Sequence, residues 1–499
     1  MLDHIKQEGN MTLTENGAAT YLTSGSDCLD LFATVGALRH ASDEEIISRF
    51  ICAYTENPVL AMKLLFFARD IRGGLGERRV FRTIFAWLAK NEPDSVKKNI
   101  KYVADYGRFD DLLALIDTPC EKEMFEFLKS CLDSDLVNIN EGENISLLAK
   151  WLPSINTSDK RVVYKAKKLA KAFGMNSADY RKVLSRLRAK IQIIENNLRK
   201  MDYSFDYEKQ PSRAMYKYKK AFLRNDEDRY SAFLSKVVSG EAKLHADNIS
   251  PYELVEPYLI EDWRRWKCDG RVYMKTISEA EKAILNTTWN SIPDFGKDEN
   301  AIAVIDTSAS MYYQRSPLPA AVALSLGLYF AERNKGIFKN HFIEFSNKAQ
   351  LIEIKGETFA DRLRYIATFC KVASTNLESV FNLILNAAKK YNVSQDEMPK
   401  KLVIISDMEF NSCVENPDKI NFYQAKQRYE GSGYKLPEII FWNVASRNRQ
   451  QPVTMNEQGV VLVSGATPRI FSMVAGGKTS PYTFMLEVLN SERYMKIAA

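Results

Sequence analysis

The sequence predicts an α-helical region followed by a doubly wound α/β domain, in a chain of 499 residues. Two observations carry this prediction. Apolar residues recur at helical spacing through roughly the first 290 residues, with short polar links between the patterns. Beyond about residue 300, apolar runs of strand length alternate with helical patterns, which is typical of a parallel sheet covered on both faces. The predicted ranges are a flexible N-terminus at 1–10, a helical-repeat domain at 11–292 and an α/β domain at 298–495.

The helical region contains recognisable helix starts. Ser42 and Glu45 form a capping box, and Asn57-Pro58 combines an N-cap with proline at the first helical position. Further helices are predicted at 77–90, 95–104, 110–116, 121–132, 144–151, 159–173, 177–199 and 225–290, with a loop or irregular helix at 201–224. Short links between successive helices favour a bundle or a HEAT-like solenoid, curved or ring-shaped.

The α/β region is predicted from uninterrupted apolar runs. Such runs indicate strands that are buried on both faces, and the longer amphipathic patterns between them indicate helices. The predicted strands are 301–305, 342–345, 351–354, 402–406, 439–444 and 459–463, and the predicted helices are 317–332, 359–370, 377–390 and 482–490.

Charge is unevenly spread along the chain. Residues 160–224 contain 19 Lys or Arg and 5 Asp or Glu, a local charge of +14 within a total of +6. Such asymmetry favours a polyanionic partner, with RNA first, although solvated helix faces would show the same composition. No apolar run is long enough to cross a membrane. The seven cysteines form no paired motif, so reduced thiols and a cytoplasmic location are expected.

The basic segment supplies the candidate RNA contacts, because lysine and arginine on helix faces neutralise phosphates without reading sequence. These are Lys165, Lys167, Lys168, Lys171, Arg181, Lys182, Arg186, Arg188, Lys190, Lys217 and Lys219. Aromatic side chains interleaved with them, such as Tyr207 and Tyr216, are able to stack on unpaired bases. Packing at a domain boundary is the alternative interpretation of those aromatics.

A glycine-rich turn at 69–79 reads RDIRGGLGERR and invites comparison with a phosphate-binding loop. It lacks the Lys-Ser/Thr ending of such a loop and lies between predicted helices rather than after a strand. A helix C-cap with flanking ion pairs is the preferred interpretation.

Oxygen-bearing residues follow two of the predicted strands. The first strand ends in Asp306, followed by Ser308 and Ser310, and a second ends in Asp407. Ligands of doubly wound sheets bind at the carboxyl ends of the strands, so these side chains are expected to meet. Two carboxylates and several hydroxyls suit a hard divalent cation, Mg²⁺ first, with Mn²⁺ or Ca²⁺ as alternatives. Caps of strand–helix turns with no metal remain the other interpretation.

This pattern resembles the metal-ion-dependent adhesion site (MIDAS) of von Willebrand A domains. Asp306-Thr307-Ser308-Ala309-Ser310 matches the DxSxS motif, Thr375 lies in a loop before a helix, and Asp407 matches the second aspartate. The resemblance implies that Ser308, Ser310 and Thr375 bind the metal directly, and that Asp306 and Asp407 act partly through water. The family often has glycine where this chain has Ser374.

The whole chain resembles the Ro autoantigen family, in which helical repeats (the TROVE module) precede a von Willebrand A-like domain. The closer match is to a domain of unknown function related to that family and found in plants, microbes and viruses. The matching segments are TLTENGA at 12–18, RDIRGG at 69–74, YGRFDDL at 106–112, IFWN at 440–443 and VLVSG at 461–465.

The resemblance implies a cytoplasmic ribonucleoprotein component that binds small noncoding or single-stranded RNA, and not an enzyme. The alternative is a protein-interaction scaffold without RNA, in which the metal site captures an acidic side chain of a protein partner. Metal-dependent hydrolysis is less favoured, because no histidine or lysine near the site in sequence offers a general base.

Overall fold

A computed structural model describes residues 9–191, 193–260, 272–295, 300–313, 317–412, 420–474 and 479–499. The chain forms two compact units. The helical unit comprises Ser42–Phe233 and Glu492–Ala499, and the α/β unit comprises Leu234–Ser491 together with the described part of Met1–Ala41. The predicted fold class, helices followed by an α/β sheet, is confirmed.

The helical unit is built from short amphipathic helices with aromatic side chains between them. Phe66 contacts Phe81 and Tyr106 edge to face, with ring centroids 5.6 and 5.2 Å apart. Its helices are α2 (Asp43–Glu56), α3 (Pro58–Arg69), α4 (Arg78–Asn91), α5 (Pro93–Asn99), α6 (Val103–Tyr106), α7 (Glu121–Glu141), α8 (Leu148–Trp151), α9 (Lys160–Ala172), α10 (Ser177–Ile191), α11 (Ile194–Arg199) and α12 (Ser212–Asn225). The predicted caps at Ser42 and Asn57 accept hydrogen bonds from Glu45 N and Leu60 N.

The segments RDIRGG and YGRFDDL supply buried charged side chains that pair within the helical unit. The Asp111 carboxylate is fully buried and accepts from Arg69 Nε at 2.8 Å and from Arg82 Nε at 2.6 Å. Asp70 is equally buried and accepts from Arg493 Nη2 at 2.7 Å and from the Tyr494 hydroxyl at 3.0 Å. The glycine-rich turn therefore holds residues 492–499 through the contacts of Asp70. This agrees with the predicted turn flanked by ion pairs and not with a phosphate-binding loop.

The α/β unit is centred on a six-stranded sheet in the order β10-β9-β8-β5-β6-β7. Neighbouring strands run parallel except at the β6–β7 edge, which is antiparallel. The strands are β5 (Ala301–Asp306), β6 (His341–Phe345), β7 (Ala349–Glu353), β8 (Lys401–Ser406), β9 (Glu438–Asn443) and β10 (Val460–Ser464). Strand order reverses between β5 and β8, so the carboxyl ends of these two strands form the switch point at which such sheets bind ligands.

Helices pack closely on this sheet. Helix α16 (Pro319–Arg333) is buried along most of its length against β5. A Cβ atom on Gly327 would lie 2.0 Å from Ile305 Cδ1, so any larger residue here would force the Ile305 side chain to shift. The other helices of the unit are α1 (Asp27–Thr34), α14 (Tyr252–Val255), α15 (Glu279–Asn290), α17 (Phe359–Ala367), α18 (Glu378–Tyr391), α19 (Asn421–Gly431), α20 (Ile470–Met473) and α21 (Pro481–Leu489), while α13 (Glu227–Ser239) begins in the helical unit and ends in this one.

The N-terminal segment belongs to the α/β unit, which differs from the predicted ranges. Strands β1 (Met11–Leu13) and β2 (Ala19–Tyr21) form a hairpin that bridges to Asn411 and Gln451, and α1 packs on β10. Residues 234–292 also lie in this unit, so the division at 292–298 is not a division between compact bodies. These contacts are tertiary, and local periodicity carries no signal for them. Of the predicted flexible N-terminus, residues 1–8 lie outside the described range.

Several elements differ from their predicted forms. Residues 212–225, expected to be a loop or irregular helix, form the regular helix α12, which buries the side chain of Phe222. The segment predicted as helical at 225–290 also contains the strands β3 (Leu259–Ile260) and β4 (Tyr273–Met274). Helix α19 was not predicted. Among the described residues, no helix is both long and apolar enough to cross a membrane.

Candidate metal centre and basic surface

The first predicted metal ligand lies at the carboxyl end of β5. Asp306 is fully buried, and its Oδ1 accepts from Ser308 N at 2.8 Å. Its Oδ2 accepts from the Ser406 hydroxyl at 2.6 Å, because Ser406 ends the neighbouring strand β8. The Ser406 hydroxyl also accepts from Met408 N at 3.0 Å, so one serine fastens both strand ends.

The second carboxylate follows β8 directly. Asp407 is 2% exposed, and its Oδ2 accepts from Arg447 Nη2 at 2.9 Å. The next residue, Met408, has a φ of 66°, a left-handed conformation that is uncommon for methionine. Arg447 was not among the predicted site residues, since its position 40 residues beyond Asp407 gives no local signal.

The three hydroxyl residues lie on loops around the same strand ends. Ser308 Oγ and Ser310 Oγ are 3.1 Å apart, and Ser310 also hydrogen-bonds the Asp407 side chain. The Thr375 loop is attached to the Ser308 loop, because Ala309 N donates to Ala373 O at 3.0 Å. It is also attached to the loop after Asp407, because Asn411 N donates to Thr375 O at 2.8 Å. The structure thus brings the loops of all five predicted residues to one edge of the sheet.

Burial makes the charges at this edge unfavourable. Burial and then the nearby charge of Asp407 raise the pKa of Asp306 to about 7. Burial also raises the pKa of Asp407, and the Arg447 guanidinium opposes that effect. A third carboxylate, Glu409, is 1% exposed and has its pKa raised by burial as well. The Arg447 guanidinium pairs with Asp407, whereas the hydrogen bonds that Asp306 accepts from Ser308 N and the Ser406 hydroxyl come from neutral groups. An additional cation would offset the remaining negative charge at this edge.

The donor set fits a hard divalent ion, with hydroxyl and carboxylate oxygens and no soft ligand. Clusters of three or more His, Cys, Asp or Glu side chains placed to hold a metal are absent from the described residues. A metal at this edge would therefore depend on the hydroxyls of Ser308, Ser310 and Thr375. The bond from Ser308 N to Asp306 also fits the alternative of a turn cap without metal.

Four of the predicted RNA contacts are exposed and lie near the turn between α9 and α10. Lys167 and Lys171 are one helical turn apart on α9, and Arg181 and Lys182 lie in the first part of α10. No carboxylate within the described residues pairs with these four side chains. Their charges are therefore available to a ligand.

The remaining predicted contacts already bind other groups of the protein. Lys168 pairs with Asp117 and Glu121, and Lys165 Nζ donates to Leu113 O at 3.2 Å. The Arg188 guanidinium donates to Ala149 O, Leu152 O and Ser154 Oγ. Lys219 is 8% exposed and lies 3.9 Å from the ring centroid of Tyr216. The exposed Arg186, Lys190 and Lys217 contact Asn140, Gly142 O and the Tyr218 ring, in that order.

The interleaved aromatics differ in burial, since Tyr207 is buried and Tyr216 and Tyr218 are partly buried. Tyr207 is buried and its ring packs against Phe222 and Tyr230, with centroids 5.2 Å away in both cases. Tyr216 is covered by Lys219, and the Tyr218 hydroxyl donates to Glu195. Packing is therefore the interpretation that fits Tyr207.

Comparisons with known proteins give relatives over almost the full chain. The chain is 29% identical over 524 aligned residues to the protein L728 of Acanthamoeba polyphaga mimivirus, covering 96% of this chain and 87% of that one. The Ro (RSR) protein of Deinococcus radiodurans is a similar solved structure, with a TM-score of 0.45 and 13% identity over 90% of this chain and 99% of that chain.

Two family models match consecutive parts of the sequence. A domain of unknown function, DUF7788, matches residues 300–481. Another, DUF2828, matches residues 14–130 and 124–295, which is more than half of the chain. The two matches meet between 295 and 300, where the sequence changes from helical to strand-like patterns. The relationship predicted from the sequence, to a domain of unknown function that also occurs in viruses, is confirmed, and the chain belongs to the DUF2828 family.

Proposed function

We propose that this protein binds RNA through the exposed basic residues of the α9–α10 turn. The observation that carries the proposal is the group of Lys167, Lys171, Arg181 and Lys182, four exposed cations with no carboxylate partner among the described residues. Cations without a protein partner contact phosphates at little cost, whereas a paired lysine such as Lys168 would first lose Asp117 and Glu121.

Phosphate contacts of this kind give affinity that depends on salt and only weakly on sequence. Tyr207 is packed inside the unit and is not available for base stacking, so the proposed mode depends on phosphate contacts. The expected ligand is therefore a small noncoding or single-stranded RNA that is held mainly by its backbone.

The test is an electrophoretic mobility shift with an unstructured RNA and a hairpin of the same length. Changing Lys167, Lys171, Arg181 and Lys182 to alanine should raise the apparent Kd at least about tenfold at low salt. The matched control changes Lys339, Lys348, Lys389 and Lys390, which are exposed on the α/β unit and carry the same total charge. Equal loss in both variants, or no shift with the wild-type protein, would refute the proposal.

A second function is supported by the candidate metal centre, which we propose binds Mg²⁺ or a similar divalent ion. The observation that favours it is the group of buried, mutually repelling carboxylates beside Ser308, Ser310 and Thr375. When bound, the ion would supply positive charge at the switch point of the sheet and hold the three loops together.

Thermal unfolding with Mg²⁺ and with EDTA tests the metal centre. Binding to the folded state should raise Tm as the Mg²⁺ concentration rises above Kd, and Ser308→Ala with Ser310→Ala should abolish the increase. Ser432→Ala, at the C-terminus of α19, is the control that should keep it. The scaffold alternative makes a separate prediction, since partners held by the metal alone would be released by EDTA and not by nuclease.

A further inference from the structure

Tyr164 is exposed on helix α9, unlike the other aromatic residues of the helical unit. Its side chain is 49% exposed, whereas every other Phe, Tyr or Trp that the structure describes in this unit is buried or half-buried. Unpaired bases stack on aromatic rings of this kind when the rings lie on a positively charged surface. The position of Tyr164 relative to the lysines of α9 therefore decides what the ring can do.

Tyr164 lies on the same face of α9 as two of the lysines proposed to contact RNA. The face is formed by residues three or four apart, namely Lys160, Tyr164, Lys167 and Lys171. All three lysines are exposed, and Lys171 lies about two turns beyond Tyr164 in nearly the same direction from the helix axis. A base on the ring would have cations available to the phosphates on either side of it.

The ring is held in a defined orientation by the protein itself. The Tyr164 hydroxyl donates to Asp117 Oδ1 at 2.9 Å, and Lys168 Nζ lies 5.6 Å from the ring centroid. The pKa of Asp117 is lowered, first by its hydrogen bond from Lys168 and then by the one from Tyr164, so the hydroxyl binds an ionised carboxylate. A ring that is already fixed loses little conformational entropy when a base stacks on it.

The charges around the ring do not oppose an RNA ligand. The carboxylates beside it, Asp117 and Glu121, both pair with Lys168, and the charge of Lys165 also lowers the pKa of Asp117. Two lysines thus balance two carboxylates there. The three exposed lysines on the face of Tyr164 consequently leave this surface positive overall.

We propose that Tyr164 is a base-stacking residue of this surface, on which an unpaired nucleobase lies while Lys167 and Lys171 hold neighbouring phosphates. This inference rests on the proposed RNA binding and adds to it a contact with a base. It gives the surface a preference for single-stranded over double-stranded RNA, because the bases of a duplex are paired and stacked on one another.

The test compares wild-type protein with Tyr164→Leu on an unstructured oligouridylate and on an RNA duplex of the same length, by fluorescence anisotropy. Tyr164→Leu should raise the Kd for the oligouridylate about tenfold, because one stacked base is lost. The Kd for the duplex should change by no more than about twofold, since no unpaired base is present. The salt dependence should keep its slope, because no phosphate contact is removed.

Two further variants serve as controls. Tyr164→Phe keeps the ring and loses the bond to Asp117, so its Kd for the oligouridylate should stay within about threefold of wild type. Tyr391→Leu changes a tyrosine that is 68% exposed at the end of α18, with Lys390 Nζ 5.2 Å from its ring centroid. This replacement, in the α/β unit, should leave RNA binding unchanged.

The outcomes separate this inference from the proposed RNA binding. If Tyr164→Leu binds the oligouridylate as well as wild type does, or if wild type binds the duplex alone, RNA binding stands and the role of Tyr164 is refuted. Equal weakening on both RNAs, or equal weakening by Tyr164→Phe or Tyr391→Leu, would refute it too, because a stacked base is then not what is lost. If wild type binds neither RNA, both the proposed function and the role of Tyr164 are wrong.

Discussion

At the scale of single residues, Asp306 is completely buried and forms no ion pair with the basic side chains that the structure describes. Arg447 pairs with Asp407 and Glu15, whereas Asp306 accepts hydrogen bonds from neutral groups, among them Ser308 N and the Ser406 hydroxyl. Hydrogen bonds from neutral groups offset only part of the cost of burying a carboxylate. The residue is therefore expected to cost stability in the absence of an ion and to add stability in its presence.

Asp306→Asn should have opposite effects in EDTA and in Mg²⁺. Because the pKa of Asp306 is raised from 3.8 to about 7, the folded chain holds a proton there that the unfolded chain has lost. Stability from this group therefore falls as pH rises from about 4 to about 7. In EDTA at pH 8 the variant should be more stable by roughly 1 kcal/mol or more, and in Mg²⁺ it should be less stable than wild type. Urea unfolding in both buffers measures this, and a variant that is less stable in EDTA would contradict it.

Asp70 holds the segment 492–499 through its contacts with Arg493 and Tyr494. Replacing it with asparagine removes the charge that holds Arg493 and Tyr494, which should cost about 2 kcal/mol and speed hydrogen exchange at 492–499. Asp105→Asn is the matched control, because Asp105 pairs with Lys496 of the same segment but is 57% exposed. Exposed pairs contribute at most about 1 kcal/mol, so equal effects of the two variants would contradict the anchoring role of Asp70.

Residue identities at the candidate centre were partly predictable. Asp306 and Asp407 follow apolar strands, and the sheet pattern alone predicts that neighbouring strand ends meet. Ser406, immediately before Asp407, could have been found by the same reasoning. Arg447 and Glu15 could not, because only the folded chain brings them to Asp407.

At the scale of elements, β5, β6, β8, β9 and β10 were predicted to within one residue because they are largely buried. The start of the partly exposed edge strand β7 was predicted two residues late, and the short strands β1 to β4 were not predicted. The predicted strand 402–406 is Lys401–Ser406, and 439–444 is Glu438–Asn443. Helix α12 was missed because its mixture of aromatic and basic residues obscures the single buried stripe around Met215 and Phe222. Its stability depends on tertiary packing, which no local pattern records.

The contact between α16 and β5 gives a test at this scale. Gly327→Ala should destabilise the α/β unit by about 1–3 kcal/mol, because the new methyl group would overlap the buried Ile305 side chain and force it to shift. Gly431→Ala, at the end of α19, meets no atom within 4 Å and should change stability by no more than about 0.5 kcal/mol. Differential scanning calorimetry measures both, and a neutral Gly327→Ala would contradict the close packing.

At the scale of the whole molecule, the fold class was predictable and the composition of the compact units was not. A change from helical to strand-like patterns near residue 300 is visible in the sequence and coincides with the meeting point of the two family models. Residues 9–41 join the sheet through bridges such as Gly17 with Asn411, nearly 400 residues apart in the chain. Contacts at such separations leave no trace in local periodicity.

The proposal of RNA binding depends on the uneven distribution of charge over the molecule. A segment of +14 belongs to a chain whose other residues are acidic on balance. The four exposed cations near the α9–α10 turn are among the residues of that segment that are open to phosphates.

The most direct test is the salt dependence of RNA binding, measured by fluorescence anisotropy between about 50 and 200 mM KCl. Wild-type protein should show log K falling linearly with log salt concentration. Replacing Lys167, Lys171, Arg181 and Lys182 should reduce the magnitude of that slope by about 3, near 0.7 for each lost phosphate contact. An unchanged slope in this variant, or no binding by wild type at the lowest salt, would contradict the account.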